Sequence, residues 1–282
     1  MEDRSLVELL EEQFTALSSK LPVFHPVALE LERLKNDGRA GMDKVVSAIE
    51  KDPMLSAQIL RLANSALYRG LTKAETISRA VMRLGMKRVV SLAFAASQSL
   101  AYRGERQPYR EMLKALWSRT YLSACGARWL AERAGQSERA EEAFLAGLFH
   151  DLGELFVLRA LESASTETGE LTQTVIEEAV AALHSALGAR LLLQWNLPEE
   201  YVRIARDHHQ ETLAEGDWLM ACVRLMDLAC SKLGIGQQPQ PELTLAATPE
   251  AETLGLKAIA LAELEVMLED LAAEATSLST AS

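Results

Sequence analysis

The chain has 282 residues, 49% apolar and 24% charged, with a formal net charge of −11. Such a composition can bury a core, which excludes wholesale disorder, and the negative total argues against bulk nucleic-acid binding. Aromatic residues make up only 5%, and Leu and Ala dominate the apolar set, so helices are expected rather than a sandwich or barrel.

Cys125, Cys222 and Cys230 are odd in number and have no C-x-x-C spacing, which argues against a disulfide framework and a cysteine-built zinc site. The acidic N-terminus lacks the apolar core of a signal peptide. No window reaches the roughly 18 uninterrupted apolar residues of a membrane span, so a cytoplasmic protein is expected. Charge is unevenly placed: residues 1–110 hold 17 Lys/Arg against 13 Asp/Glu, and residues 111–282 hold 12 against 27.

In chain order, Leu6, Leu9, Leu10, Phe14 and Leu17 predict a helix over 3–18. Pro22 and Pro26 break it, and His25 beside Pro26 reads as structural. A helix over 26–36 ends near Asn36-Asp37-Gly38, and Met42, Val45, Val46 and Ile49 mark another. Asp52-Pro53 starts the next, with Asp as cap and Pro in the first turn. Helices over 75–84 and 86–101 follow. They carry a basic cluster, Arg79, Arg83, Lys87 and Arg88, which is either a solvated face or an interaction surface. After a polar break at Gly104 to Pro108, helices are predicted over 109–134, 138–150, 152–161, 171–195, 198–210 and 216–233. Residues 234–254, with two Gly and three Pro, read as a long loop, and 255–275 as a final amphipathic helix. The expected organisation is a terminal helix (1–20), a helical subdomain (21–104), a second helical subdomain (105–233), and a loop with a docking helix (234–282).

Four of the five histidines fall between 150 and 209. His150-Asp151 has strongly apolar flanks, where a charged Asp needs a partner, a hydrogen bond or a metal. The pair can offer an imidazole nitrogen and a carboxylate oxygen to one cation, or tie two helices together. His184 shares an inward face with Val180, Leu187 and Leu191, and His208 with Tyr201, Ile204 and Ala205. His208-His209 is a good metal pair if the bundle brings it near His150. Asp227 lies on an apolar face with Met220, Val223 and Cys230. Its partner is either Arg224, three residues earlier, or a cation or imidazole from another helix. Helical bundles build metal sites from side chains on facing helices in this way.

The order His150-Asp151, His184, His208-His209, Asp227 resembles the HD superfamily of metal-dependent phosphohydrolases. The segment from Leu183-His184 through Leu197-Pro198 is similar to its HD-GYP and HDOD branches. Asp52-Pro53-Met54-Leu55, then Ile59-Leu60-Arg61-Leu62-Ala63-Asn64-Ser65-Ala66-Leu67-Tyr68, is very similar to the HDOD signature. Ile77 to Val81, Leu84 to Val89 and Leu21-Pro22 extend the match. The resemblance implies an all-α protein, an N-terminal helical bundle packed on an HD-like helical bundle, acting as an output or regulatory domain in bacterial signalling.

The chain departs from the catalytic pattern implied by that resemblance. Arg119 stands two residues after Trp117, where active HD enzymes carry a His, and a guanidinium cannot ligate a metal. Glu154 replaces the Lys of the HD-GYP motif and reverses its charge, and the Gly-Tyr-Pro signature is absent. The expectation is therefore a degenerate HD site of Arg119, His150, Asp151, Glu154, His184, His208, His209 and Asp227, in which Arg119 neutralises Asp151 or Asp227. The chain is expected to be non-catalytic and without a cofactor. If a divalent metal does bind, its ligands are His150, Asp151, His184, His208, His209 and Asp227. Signalling proteins are the expected partners. The alternatives are a phosphohydrolase with a reduced ligand set, and a sensor of a nucleotide or cyclic dinucleotide anchored by Arg119.

Overall fold

The computed structural model describes residues 10, 14, 27, 30, 31, 41–65, 67, 68, 72–168, 171–235 and 239–280, with backbone alone at 166–168 and 273–280. Most of the helices expected at 3–18 and 26–36, the Leu21-Pro22 segment and His25 lie outside these residues. Among the described residues every regular element is a helix or a 3-10 turn, and no helix is long and apolar enough to cross a membrane. Contacts divide the chain into two units. One is Pro22–Ala101; the other joins Met1–Leu21 to Tyr102–Ser282.

The first unit contains α1 (Met42–Glu50), α2 (Pro53–Ala63), α3 (Ile77–Leu84) and α4 (Met86–Ser99). Asp52 caps α2, its Oδ1 accepting the Leu55 N–H at 2.9 Å, and Pro53 sits in the first turn, where a missing N–H costs nothing. Ile49, Leu55, Ile59, Ile77, Val81 and Val89 are buried. Asn64 closes the connection from α2 to α3. Its amide donates to the Ala74 carbonyl at 2.8 Å and accepts the Ala74 N–H at 2.8 Å, which gives the signature Asn a physical role.

The second unit is built around α5 (Tyr109–Arg133), with α6 (Ala140–Phe149), α7 (Leu152–Thr168), α8 (Gln173–Gln194), α9 (Glu199–Asp207), α10 (Trp218–Lys232), α11 (Pro249–Thr253) and α12 (Ala258–Thr280). Helix α5 packs against α6, α7, α10 and α12, and α8 packs against α7 and α9. Two glycines let site-bearing helices come close to the backbone of a neighbour. A Cβ on Gly147 would lie 2.7 Å from the Ser123 carbonyl oxygen of α5, and one on Gly153 would lie 1.8 Å from the His184 carbonyl oxygen of α8. Any side chain at either position would push a site-bearing helix outward.

Two elements differ from expectation. Helix α7 continues to Thr168 instead of stopping near 161. Its Glu162, 6% exposed, accepts the backbone N–H groups of Glu105 and Arg106 at 2.7 and 2.9 Å and the Arg159 guanidinium at 2.7 Å. The polar break is thereby fastened to the helix, and the buried carboxylate is satisfied. The supposed loop at 234–254 contains a 3-10 turn at Leu245–Ala247 and the short α11. Thr248 caps α11 and Pro249 opens it.

Candidate functional site

The second unit gathers the whole histidine and carboxylate set. Helix α5 supplies Arg119, the α6–α7 junction supplies His150, Asp151 and Glu154, α8 supplies His184, the end of α9 supplies His208 and His209, and α10 supplies Asp227. His150, Asp151, Glu154, His184 and His208 are buried.

Three imidazoles are anchored alike. The Nδ1 atoms of His150 and His184 lie 2.9 Å from the carbonyl oxygens of Gly147 and Val180. That of His208 lies 3.1 and 3.0 Å from those of Ile204 and Ala205. A carbonyl oxygen only accepts, so each Nδ1 carries a hydrogen and each Nε2 is turned into the site. Each anchor is one helical turn back on the residue's own chain.

The Nε2 atoms meet different surroundings. That of His150 lies 3.1 Å from Asp227 Oδ1 and 3.2 Å from Asp151 Oδ2. Burial opposes a charge on His150, but the carboxylates of Asp151 and Asp227 outweigh it and raise the group well above the ordinary imidazole value. His150 is therefore an imidazolium shared by two carboxylates. Burial likewise works against ionised Asp151, and His150 first, then His208 and Arg119, hold it well below the usual carboxylate range. Asp227 is lowered too, its burial outweighed by His150. The buried Nε2 of His208 has Asp151 Oδ1 as its neighbour, at 3.4 Å. The Nε2 of His184 lies 3.0 Å from that of His209 and 3.1 Å from Ser185 Oγ. Burial, with His208 next, pushes His209 down to about 4, so it is neutral at pH 7.

Arg119 unites the two departures from the catalytic pattern. Its Nη2 donates to Glu154 Oε2 at 2.6 Å and to Asp151 Oδ2 at 3.3 Å. Burial opposes the guanidinium charge, and Glu154 and then Asp151 outweigh it. Burial raises Glu154, an effect that Arg119 offsets and Asp151 reinforces. Of the two carboxylates expected to receive Arg119, Asp151 does, with Glu154 as the closer partner. Asp227 has His150 instead. A cavity of about 400 Å³ is lined by Arg119, Asp151, Glu154, His184, His209 and Asp227, together with Val180, Ala181, Cys230 and Ser231.

Arg224 is not the partner of Asp227. It donates to the Gln210 and Thr212 carbonyls at 2.7 and 3.2 Å and pairs with Glu250 at 2.7 Å. Arg224 thus clamps the segment that follows His208-His209, while Asp227, one turn on, faces His150. Glu250 was missed in the sequence. The only signal was Thr248-Pro249, a helix start that the Gly- and Pro-rich composition masked. In the other unit the basic cluster is not uniformly free. Arg83 is half-buried and donates to the Thr72 carbonyl at 2.7 Å and to the Ala63 carbonyl. Arg79 pairs with Glu75 at 2.9 Å, and Lys87 is exposed.

A family model described as HDOD domain matches residues 21–211. The chain belongs to the HDOD family. Among solved structures it is similar to an HDOD domain protein of unknown function from Geobacter sulfurreducens, with a TM-score of 0.76 and 22% identity over 97% of both chains. A provisionally named phosphohydrolase from Shewanella amazonensis matches with a TM-score of 0.66 and 24% identity, over 95% of this chain and 97% of the other. These likenesses show the HDOD fold. An uncharacterized protein of Treponema pallidum is 26% identical over 196 residues, which is 67% of this chain and 37% of that protein. The chain therefore spans little more than a third of that curated relative.

The resemblance to the HD superfamily raises the question of a metal, and the donors of this HDOD protein answer it unevenly. One ligand atom from each of His184, His208 and His209 lies within 4.8 Å of the others, as do atoms of His150, His208 and Asp227, and of Asp151, Glu154 and His184. The first set offers three imidazole nitrogens, so its donor chemistry fits a cation. In the second, His150 Nε2 already contacts Asp227 Oδ1 at 3.1 Å, and in the third the Arg119 guanidinium pairs with Asp151 and Glu154.

Proposed function

We propose that the protein is a regulatory HDOD module whose degenerate HD site binds rather than hydrolyses, and that it acts through a protein or small-ligand contact. The observation that carries this reading is the Arg119 bridge to Glu154 and Asp151 at 2.6 and 3.3 Å. Hydrolysis of a phosphate ester by an HD site requires a metal-activated water and a place for the phosphate. Arg119 cannot ligate a metal and spends an oxygen of Asp151 on a salt bridge. Glu154 sets a negative charge where a phosphate would have to approach.

The test is an assay of the purified chain on a panel of nucleotides and simple phosphate esters, with Mn, Fe, Ni or Mg supplied. No turnover is expected. Metal-dependent turnover that disappears in Asp151→Asn would overturn the reading.

A nucleotide or cyclic dinucleotide is a weaker candidate ligand, since the cavity sets the carboxylates of Asp151, Glu154 and Asp227 against one guanidinium. A concentration-dependent rise in melting temperature with such a compound would restore it. For a protein partner, the exposed part of the basic cluster, Arg79 and Lys87, is the candidate contact.

A further inference from the structure

We infer that the partner of this module is an acidic amphipathic helix of another protein, which docks on the outer face of α3 with an apolar side chain on Met82 and carboxylates on Arg61, Lys73, Arg79 and Lys87. The inference rests on the protein-contact reading above and names the chemistry of that partner.

Residues 53–101 hold seven Lys and Arg against one acid, Glu75, in a chain whose total is −11. The bases divide into a support and a face. Arg83 is turned onto the Thr72 and Ala63 carbonyls. Together with the two Asn64–Ala74 hydrogen bonds, it ties the end of α2, residues 72–74 and α3 into one platform. Arg61 lies two residues before Ala63, and Lys73 lies between Thr72 and Ala74, so the platform holds both near α3. Arg61, Lys73 and Lys87 are exposed, and none has a carboxylate partner among the described residues. Arg79 has Glu75 at 2.9 Å. Both are exposed, and such a pair is worth little in water and yields to a better-placed carboxylate. Lys87 and Arg88 stand in the first turn of α4, which has no acid there. The helix N-terminus adds its own partial positive charge at that point.

Charge alone would suit any anion, and three further observations choose among them. Met82 lies one turn after Arg79 on α3 and is 64% exposed. A methionine among bases offers an adaptable apolar seat, which a phosphate backbone does not use and an amphipathic helix does. Tyr68 and Phe94 are the only aromatics of residues 53–101, and both are buried, so no ring is offered for stacking on a base. Every regular element among the described residues is helical. An extended peptide would need a sheet edge, so a helix laid across a helix is the remaining mode. A long duplex or a bilayer would also meet the field of the whole acidic chain. A short acidic helix stays within the roughly 8–10 Å over which the basic face dominates.

The experiment titrates the full chain into a fluorescein-labelled peptide of about 18 residues, with Leu at helical spacing and Glu on the flanks, and reads anisotropy. Saturable binding that weakens with rising salt is expected. Lys87→Glu should weaken it at least about tenfold, through like charges set face to face. Met82→Gln should weaken it at least about fivefold, through the lost anchor. Met54→Gln should leave it unchanged, since Met54 is as exposed as Met82 but lies at the other end of α2 from Ala63. All three positions are exposed, so unchanged melting curves should accompany the variants. A peptide with Lys on the flanks, duplex DNA, and phosphatidylcholine vesicles with about one fifth phosphatidylserine should each bind more weakly than the acidic peptide. Absent binding, tighter binding of any of those three, or affinity indifferent to Lys87→Glu or Met82→Gln would each overturn the inference. So would a dimer of the chain that Lys87→Glu abolishes, since the face would then belong to a second copy. The two readings fail separately. A chain that neither binds the peptide nor turns over a phosphate ester overturns only the present inference. Turnover overturns the non-catalytic reading and leaves the peptide affinities as they stand.

Discussion

Replacing Arg119 by Met removes one guanidinium and leaves two carboxylates without it in a protein interior. The side chains of Arg119, Asp151 and Glu154 are 11%, 6% and 10% exposed, so water cannot take over the lost interaction. Breaking a buried ion pair at one partner costs about 3–5 kcal/mol, because the remaining charge is stranded. For a unit of this size that corresponds to a melting temperature lower by roughly 6–20 °C. Glu154→Leu should cost less, since Arg119 keeps Asp151. The double variant Arg119→Met, Glu154→Leu should lie within about 2 kcal/mol of the wild type, as replacing both partners by apolar groups removes the desolvation cost with the attraction. The assay is urea unfolding followed by tryptophan fluorescence. Trp117, Trp129, Trp195 and Trp218 all belong to the unit that carries the site, so the signal reports on it alone. The reasoning is refuted if Arg119→Met costs less than about 1 kcal/mol, or if the two single costs add in the double variant.

Gly153→Ala should be at least as damaging as the loss of a buried charge partner at the site. Its Cβ would lie 1.8 Å from the His184 carbonyl oxygen, and a backbone clash cannot relax by rotamer change, so a loss of at least about 3 kcal/mol is expected by thermal unfolding. Arg224→Ala should strand Glu250, which is 2% exposed, and loosen residues 208–212, read as faster amide exchange there than in α5. Arg83→Ala should destabilise the Pro22–Ala101 unit by about 1–3 kcal/mol through its lost carbonyl contacts, while Lys87→Glu leaves stability unchanged. Partner binding lost in Lys87→Glu would then be a surface effect, which a charge reversal at Arg83 could not establish. In metal-free protein, the lowered Asp151 stabilises above its unfolded value near 3.8, and this is lost as pH falls through its folded value. The raised His150 stabilises below about 6.5, and this is lost as pH rises through its folded value. Melting temperature should thus plateau between those limits, and His150→Gln should remove the alkaline decline.

Much of the fold was legible because helical periodicity is local. Asp52-Pro53 marked the start of α2, and the apolar stripes around His184, His208 and Asp227 said that these side chains turn inward. Such a stripe states which face of a helix is buried, and is silent about what it is buried against. Arg119 and Glu154 therefore read as two separate losses when they are one salt bridge across 35 residues. Asp227 left open Arg224 or a cation or imidazole from another helix, and only packing chose the imidazole of His150. Arg83 read as surface charge because the carbonyls of Ala63 and Thr72 carry no signal of their own, and Glu250 disappeared into a stretch whose Gly and Pro content outweighed one helix start.

The sequence by itself determined an all-helical HDOD chain with histidines and carboxylates on inward faces, since that information lies in spacings of three and four residues. The tertiary structure decided how those charges are shared. An imidazolium stands between two aspartates, a guanidinium stands where the catalytic pattern has an imidazole, and the imidazoles of His184, His208 and His209 are left facing one another. Pairing of that kind depends on distances of about 3 Å between separate helices, which only packing sets.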